Sequence, residues 1–249
     1  MTLFVLSDLH IADADDPLYA SVLTLLRGRA ARGDAIVFAG DVFDLFVGDK
    51  SVFLERYREF LAALREAAAR GVELHYIEGN HDFLLERAFG GIPGLTLHGH
   101  EVVVERGGRR FLIVHGDTID RSDLAYRALR VFFRSPVMRA LVRVWPGAWL
   151  DSFGRARSDA SRKRKPLLPG ELPIERRERL RQVYRSYGAQ KIAEGFDFVV
   201  AGHCHDLDEM SFVVGGRDGQ YINVGYPRIH GSMLVWEEGA ARIHREPLS

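Results

Sequence analysis

Asp8, His10, Asp41, Asn80, His115, His203 and His205 are the residues of this chain best suited to hold divalent metal. Each follows a short apolar run: LFVL before Ser7-Asp8-Leu9-His10, AIVFA before Gly40-Asp41-Val42-Phe43-Asp44, LHYI before Gly79-Asn80-His81-Asp82, FLIV before His115-Gly116-Asp117, and FVVA before Gly202-His203-Cys204-His205. The two-residue spacing of Asp8 and His10 predicts that, on an extended segment, both side chains point one way and grip one ion. Asp41 offers a carboxylate able to bridge two ions, Asn80 a neutral amide oxygen, and the remaining residues imidazoles. Mixed nitrogen and oxygen donors suit Mn, Fe, Zn or Co better than the all-oxygen shells of Mg or Ca. Seven donors exceed the needs of one ion, whereas a pair sharing Asp41 has the right number. Two adjacent cations are suited to activating water and clamping a phosphoryl group. Any one of these motifs alone reads as an ordinary turn, since Asp, Asn and Gly favour turns for local reasons; the inference rests on the set of five.

The elements that must position these donors follow from periodicity. Buried strands that end in tight turns deliver their next side chains to one sheet edge, where ligands collect in α/β folds. Between the first three strands, helical apolar spacing runs from Pro17 to Ala31 and from Ser51, a candidate N-cap, to Arg70, with Gly33 and Gly71 as stops. From Leu95 the pattern changes to short strands, with Gly107-Gly108 at the bend of a hairpin, so a mixed sheet is expected. Roughly Arg121 to Gly195 reads as a mostly helical insertion, with helices capped by Ser122, restarted by Pro136 and opened by Pro173. Alternation turns Cys204 away from its neighbours and toward packing. His75, His98, His100, His230 and His244 lack partners at ligand spacing; only His230, in a loop after Gly225, is expected near the site.

The 249 residues, 47% of them hydrophobic, suffice for a single large core with one insertion. One cysteine excludes an internal disulfide and points to a reducing compartment. No signal-like or membrane-spanning segment stands at the N-terminus, so the expected location is cytoplasmic. Net charge is zero, yet residues 121–191 carry 18 Lys/Arg against 6 Asp/Glu while the remainder carries 16 against 28. That asymmetry points to an anionic partner. Large apolar side chains (Phe132, Phe133, Val137, Met138, Leu141, Val144, Trp145, Trp149 and Leu150) alternate with Arg134, Arg139 and Arg143, a combination that fits a phosphorylated lipid.

The ordered blocks DLH, GDVFD, GNHD, HGD and GHCH resemble those of the calcineurin-like metallophosphoesterases. The resemblance implies an α/β fold (α+β by some schemes), a two-sheet mixed β-sandwich flanked by helices, as one domain over 1–249 with a helical cap insertion at about 121–195. It implies two divalent ions, one on Asp8, His10, Asp41 and His205 and the other on Asp41, Asn80, His115 and His203. In that setting His81 is expected as general acid, with Asp82 orienting its ring and Asp44 behind a metal-bound group. The GNxDFLL run, HGDT with Asp123-x-x-Tyr126, RARSDASRKRK and the late GSM are similar to the UDP-2,3-diacylglucosamine diphosphatases of lipid A biosynthesis. That subgroup implies manganese, a UDP-diacylglucosamine-type lipid as partner at the inner face of the membrane, no nucleic acid, and substrate contacts at Asn80, His81, Asp123, Ser158, Arg162 and Lys165. Two departures stand out: His81, where the best-known members carry Arg, and Arg162, where a neutral polar residue is expected. Other phosphorylated lipids, nucleic acid, or a noncatalytic scaffold role are the alternatives.

Overall fold

Strand β1 (Thr2–Leu6) shows how the sequence builds two cores from one set of strands: Leu3 and Val5 join one apolar cluster, Phe4 and Leu6 another. The same division recurs in β2 (Ala35–Phe38), where Ala35 and Val37 separate from Ile36 and Phe38. Because both faces are covered, these strands are continuously apolar rather than alternating. Each fully buried Val, Leu or Phe contributes roughly 1.5–3 kcal/mol. The computed structural model describes residues 1–152 and 173–248.

Six strands form the first sheet, in the order β13 (His244–Pro247), β12 (Ser232–Glu237), β1, β2, β4 (Glu73–Ile77), β6 (Leu95–His98). Five form the second: β10 (Glu209–Val214), β11 (Arg217–Asn223), β9 (Phe198–Ala201), β8 (Arg109–Val114), β7 (Glu101–Arg106). A short pair, β3 (Phe46–Val47) and β5 (Asp82–Phe83), lies apart from both. Parallel and antiparallel pairings occur in both large sheets, as the expected mixed sandwich requires. Phe111, Ile113, Phe198, Val200 and Ile222 of the second sheet join Leu3, Val5 and Val37 of the first in the sandwich core. The β7–β8 hairpin turns on Gly107 and Gly108, both at positive φ (54° and 72°), in the two-residue turn whose twist matches the strands.

The helices differ from expectation at their ends. After α1 (Pro17–Thr24) the chain continues through a wider π-type turn, Leu25–Arg29, rather than as one helix. Ser51 is the first residue of α2 (Ser51–Arg56), not its cap, and the helix breaks at Tyr57, whose hydroxyl donates to the Ile11 and Ala12 carbonyls at 3.0 Å. Helix α3 (Arg58–Ala69) then completes the expected segment, and α4 (Glu86–Phe89) is a single turn. Asp123, rather than Ser122, caps α5 (Leu124–Phe133) by accepting the Tyr126 amide at 2.8 Å; Ser122 bonds to Asp120 instead.

Helices α5, α6 (Pro136–Val144) and the helical residues 147–152 (α7) lie on the first half of the fold. Met138, Val142 and Leu150 enter its core, Phe133 stacks on Phe83, and Arg56 pairs bidentately with Asp151. Their other side leaves Leu124, Val131, Phe132, Val137, Val144, Trp145 and Trp149 exposed. Helix α8 (Ile174–Ala193), the last helix of the expected insertion, lies on the second sheet through Tyr184, Gly188 and Ile192, an i, i+4, i+8 stripe. A four-residue turn, α9 (Pro227–His230), follows β11.

Candidate active site

All five motif turns meet at the edge where β1, β2, β4, β8 and β9 end. The Nε2 atoms of His10 and His205 face each other at 3.2 Å, and Asp8 Oδ1 lies 3.3 Å from His205 Nε2. On the other side, His115 Nε2 lies 3.2 Å from Asn80 Oδ1 and 3.5 Å from Asp41 Oδ2. The ligand atoms of Asp8, His10 and His205 lie within 4.8 Å of one another, as do those of Asp41, His115 and His203.

Asp41 joins the two groups. Its Oδ1 accepts the amides of Asn80 at 2.8 Å and His81 at 2.9 Å, which fixes the carboxylate and turns Oδ2 toward both His115 and His10, the latter at 4.0 Å. His115 donates from Nδ1 to the Ala39 carbonyl at 2.9 Å, leaving its Nε2 lone pair aimed at the site. Asp8 accepts the His203 amide with both oxygens, tying the first turn to the fifth.

The backbone reaches this arrangement through strain. Asp8, His10, Asp41, His203 and His205 all have φ between 47° and 68°. A non-glycine residue in the left-handed region costs on the order of 1–3 kcal/mol and persists only where its surroundings over-determine it. Asp8 and His10 therefore converge on one point as expected, but from left-handed rather than extended backbone, and the alternation expected around Cys204 is likewise interrupted. Cys204 nevertheless packs against the core beneath α8, where burial pushes its thiol up to about 12.

Electrostatics fit a cation pair. Burial alone would raise the Asp41 carboxyl, but His115, His81, His10 and His203 hold it below the ordinary carboxylate range. Burial pushes His10 down to about 3 and His203 to about 4, so both imidazoles are neutral donors. For His115 burial is outweighed by Asp41, Asp8, Asp117 and Asp82, which raise it to about 9; a bound cation would supply the positive charge those carboxylates attract. The converging carboxylate oxygens, amide oxygen and imidazole nitrogens suit two divalent ions.

His81 sits beside this set, edge-on to His10 with ring centroids 4.8 Å apart. Its Nδ1 donates to the Asp44 carbonyl at 2.8 Å, leaving Nε2 free to face a substrate. Burial would lower its pKa, but the Asp41 charge and the Asp44 carbonyl and carboxylate raise it above the usual value. Asp82 has a different task from the one expected. It is fully buried and accepts the amides of Asp41, Val42 and Gly79 and the Tyr76 hydroxyl, so it braces the second and third turns, while the Asp44 backbone orients His81. The Asp44 carboxylate lies 3.8 Å from His10 Nδ1.

Of the expected substrate contacts, Asn80 and His81 are in the site, Asp123 caps α5, and Ser158, Arg162 and Lys165 lie outside the described residues. Helix α5 contributes a face that the motifs alone do not reveal. Tyr126 donates to Asp117 Oδ2 at 3.0 Å and lies 3.3 Å from Asn80 Oδ1. Arg130 pairs with the same Asp117, and Arg134 donates to the Glu78, Gly79 and Gly99 carbonyls. Their i, i+4, i+8 spacing was the available signal, a polar stripe along one face of α5 and its C-terminal cap. Tyr226, just before α9, stacks on His205 with centroids 4.5 Å apart, and His230 reaches the site only indirectly, by accepting the Tyr226 amide.

A sandwich whose strand ends converge on a carboxylate-bridged set of His, Asp and Asn donors has counterparts among known proteins. The chain belongs to the calcineurin-like phosphoesterase family, which its residues 1–207 match. Members are metal-dependent hydrolases of phosphate esters and diphosphates. Among curated relatives, the UDP-2,3-diacylglucosamine hydrolase of Escherichia fergusonii is 37% identical over 145 residues, 58% of this chain and 60% of that protein. The protein of the same name from Pseudomonas entomophila is 27% identical over 238 residues, 95% of this chain and 96% of that protein. The match to the Escherichia protein thus spans 60% of its length. Among solved structures, an archaeal phosphodiesterase is 12% identical, with 99% of each chain covered and a TM-score of 0.48.

Proposed function

We propose that this protein hydrolyses the diphosphate of UDP-2,3-diacylglucosamine at the α-phosphorus, giving UMP and 2,3-diacylglucosamine 1-phosphate. The observation that carries the hydrolytic chemistry is the clamped Asp41 carboxylate, with one oxygen held by two amides and the other turned to histidines of both ligand groups. The relatives' names, above all that of the relative matching nearly the whole chain, support the substrate. Asp8, His10, Asp41 and His205 would hold one divalent ion and Asp41, Asn80, His115 and His203 the other, with manganese the expected metal. When bound, such a pair lowers the pKa of water and offsets charge on the phosphoryl oxygens.

The remaining work falls to the chain's own residues. His81, held by the Asp44 carbonyl at Nδ1 and with its pKa raised by the Asp41 and Asp44 charges, donates a proton from Nε2 to the leaving oxygen. Tyr126 orients Asn80 and Asp117 from the helical side. The exposed apolar residues Val131, Phe132, Val144, Trp145 and Trp149 support peripheral contact with the inner face of the membrane, where the acyl chains of the substrate reside. Among the described residues no helix is long and apolar enough to cross a membrane.

The test is turnover of UDP-2,3-diacylglucosamine with Mn, read as UMP release. Product absent from a His10→Ala control is expected; no UMP above that control rejects the substrate. One observation favours a second substrate class. An imidazole held at Nδ1 with Nε2 toward the site, as His81 is, suits leaving groups poorer than a sugar phosphate, so other nucleotide-linked or phosphorylated lipids, or nucleic acid, are the competing substrates, and turnover exceeding that of the UDP-lipid would establish them.

A further inference from the structure

We propose that Arg181 and Arg185 of α8 are positioning residues for His203 and His205, a proposal that rests on reading those imidazoles as metal ligands. The fifth turn must send one imidazole to each ligand group while both residues hold left-handed backbone, at φ 68° and 54°. Something must hold it there. Immediately after His205, Asp206 is 8% exposed and Asp208 6%. Arg181 grips Asp206 with two nitrogens, one at 2.9 Å, and Arg185 grips Asp208 at 2.9 and 2.6 Å.

The base of this clamp is rigid. Gly188 leaves so little room that a Cβ there would lie 2.7 Å from the Tyr221 Cβ, and Ile192 is fully buried against the same sheet. Between the two arginines, Tyr184 donates to the Gly116 carbonyl at 2.9 Å, so the same helical turn also steadies the fourth motif. On the opposite side the fifth turn is held by the Asp8 carboxylate at the His203 amide and by Asn223, which donates to the Asp208 and Gly202 carbonyls. The turn is thus fixed from both flanks, and α8 supplies the flank nearest His205.

Stability alone is a poor reason for two such pairs, because well-packed apolar residues often replace a buried ion pair at no cost. Geometry is a better one. A bidentate guanidinium fixes both the position and the plane of a carboxylate, and here each carboxylate belongs to the backbone that aims a ligand.

The experiment is Mn titration of the metal-free protein by calorimetry, well below its unfolding temperature, with circular dichroism reporting the fold. Arg181→Ala combined with Arg185→Ala is expected to weaken Mn binding about 10- to 100-fold, the usual range for partners that orient ligands, while the fold is kept. Lys191→Ala, on the same helix but meeting Glu194 and the Tyr187 ring rather than the fifth turn, is expected to bind as the wild type does. Affinity within two-fold of wild type in the folded double variant overturns the proposal. If the double variant does not fold, Asp206→Asn decides: it keeps the shape but loses the charged grip, so weakened binding supports positioning and unchanged binding overturns it. A wild-type chain that binds no Mn overturns instead the metal reading on which the proposal stands.

Discussion

Asp82 accepts the backbone amide of Asp41 at 3.0 Å, so the buried carboxylate of the third motif holds in place the residue of the second that lies between the two ligand groups. The same side chain accepts from Val42 at 2.7 Å, Gly79 at 2.9 Å and the Tyr76 hydroxyl at 2.5 Å. Four donors converge on two oxygens. In Asp82→Asn one oxygen becomes an amide that can only donate, which leaves buried donors facing a donor. The expected cost is about 3 kcal/mol, from the buried donors left unsatisfied. Urea unfolding of the metal-free protein measures it, and a loss under about 0.5 kcal/mol would show that the bracing is dispensable.

His81 makes a prediction that separates its role from that of the ligands. Its Nδ1 is committed to the Asp44 carbonyl, so only Nε2 can serve a leaving group. A sugar phosphate leaves readily without a proton, whereas an alkoxide does not. His81→Ala at saturating Mn should therefore cost roughly 100-fold or more with an alkyl phosphodiester and under about 10-fold with the diphosphate. Equal losses on both substrates would assign His81 to binding rather than proton donation.

The convergence of Asp8, His10, Asp41, Asn80, His115, His203 and His205 was legible because chemistry and place coincide: a donor type directly after a buried strand announces itself. The central place of Asp41, within reach of histidines of both groups, followed from its type and from the count of donors. What lay hidden depended on contacts between distant residues or on backbone conformation. Asp82 neighbours His81 in sequence, yet it points inward to Asp41, 41 positions away. Arg181 and Arg185 read as part of a basic insertion because α8 is polar over most of its surface, and its buried stripe is only three residues long. Left-handed φ at Asp8 and His10 was equally invisible, since the DxH spacing also fits an extended strand end.

Gly79 leads to a prediction about close approach. A Cβ at this position would stand 2.1 Å from Asp41 Oδ1 and 2.8 Å from Asp82 Oδ1. Neither carboxylate can retreat, because each is fixed by backbone amides. Gly79→Ala should lose on the order of 3 kcal/mol of stability and its Mn binding with it. Gly28→Ala is the matched control, with nothing within 4 Å of the new methyl group and an expected effect between zero and a gain of about 1 kcal/mol. Equal effects of the two substitutions would refute the packing account.

Metal removal tests the site as a store of strain and charge. Buried carboxylates at Asp8 and Asp41, neutral imidazoles at His10 and His203, and five left-handed residues are gathered at one edge, and protein contacts offset only part of their cost. Ions that bind the folded chain alone add stability by mass action, about 2.7 kcal/mol at 100 times the dissociation constant. For a chain of 249 residues that corresponds to roughly 5–10 °C in Tm. Chelation should lower Tm by that amount, and added Mn should restore it. His10→Ala removes a donor from one group only, so its Mn-dependent rise should be smaller than that of the wild type. A Tm unmoved by chelator and by Mn would mean that these residues hold no ion, and the hydrolytic mechanism would fail with it.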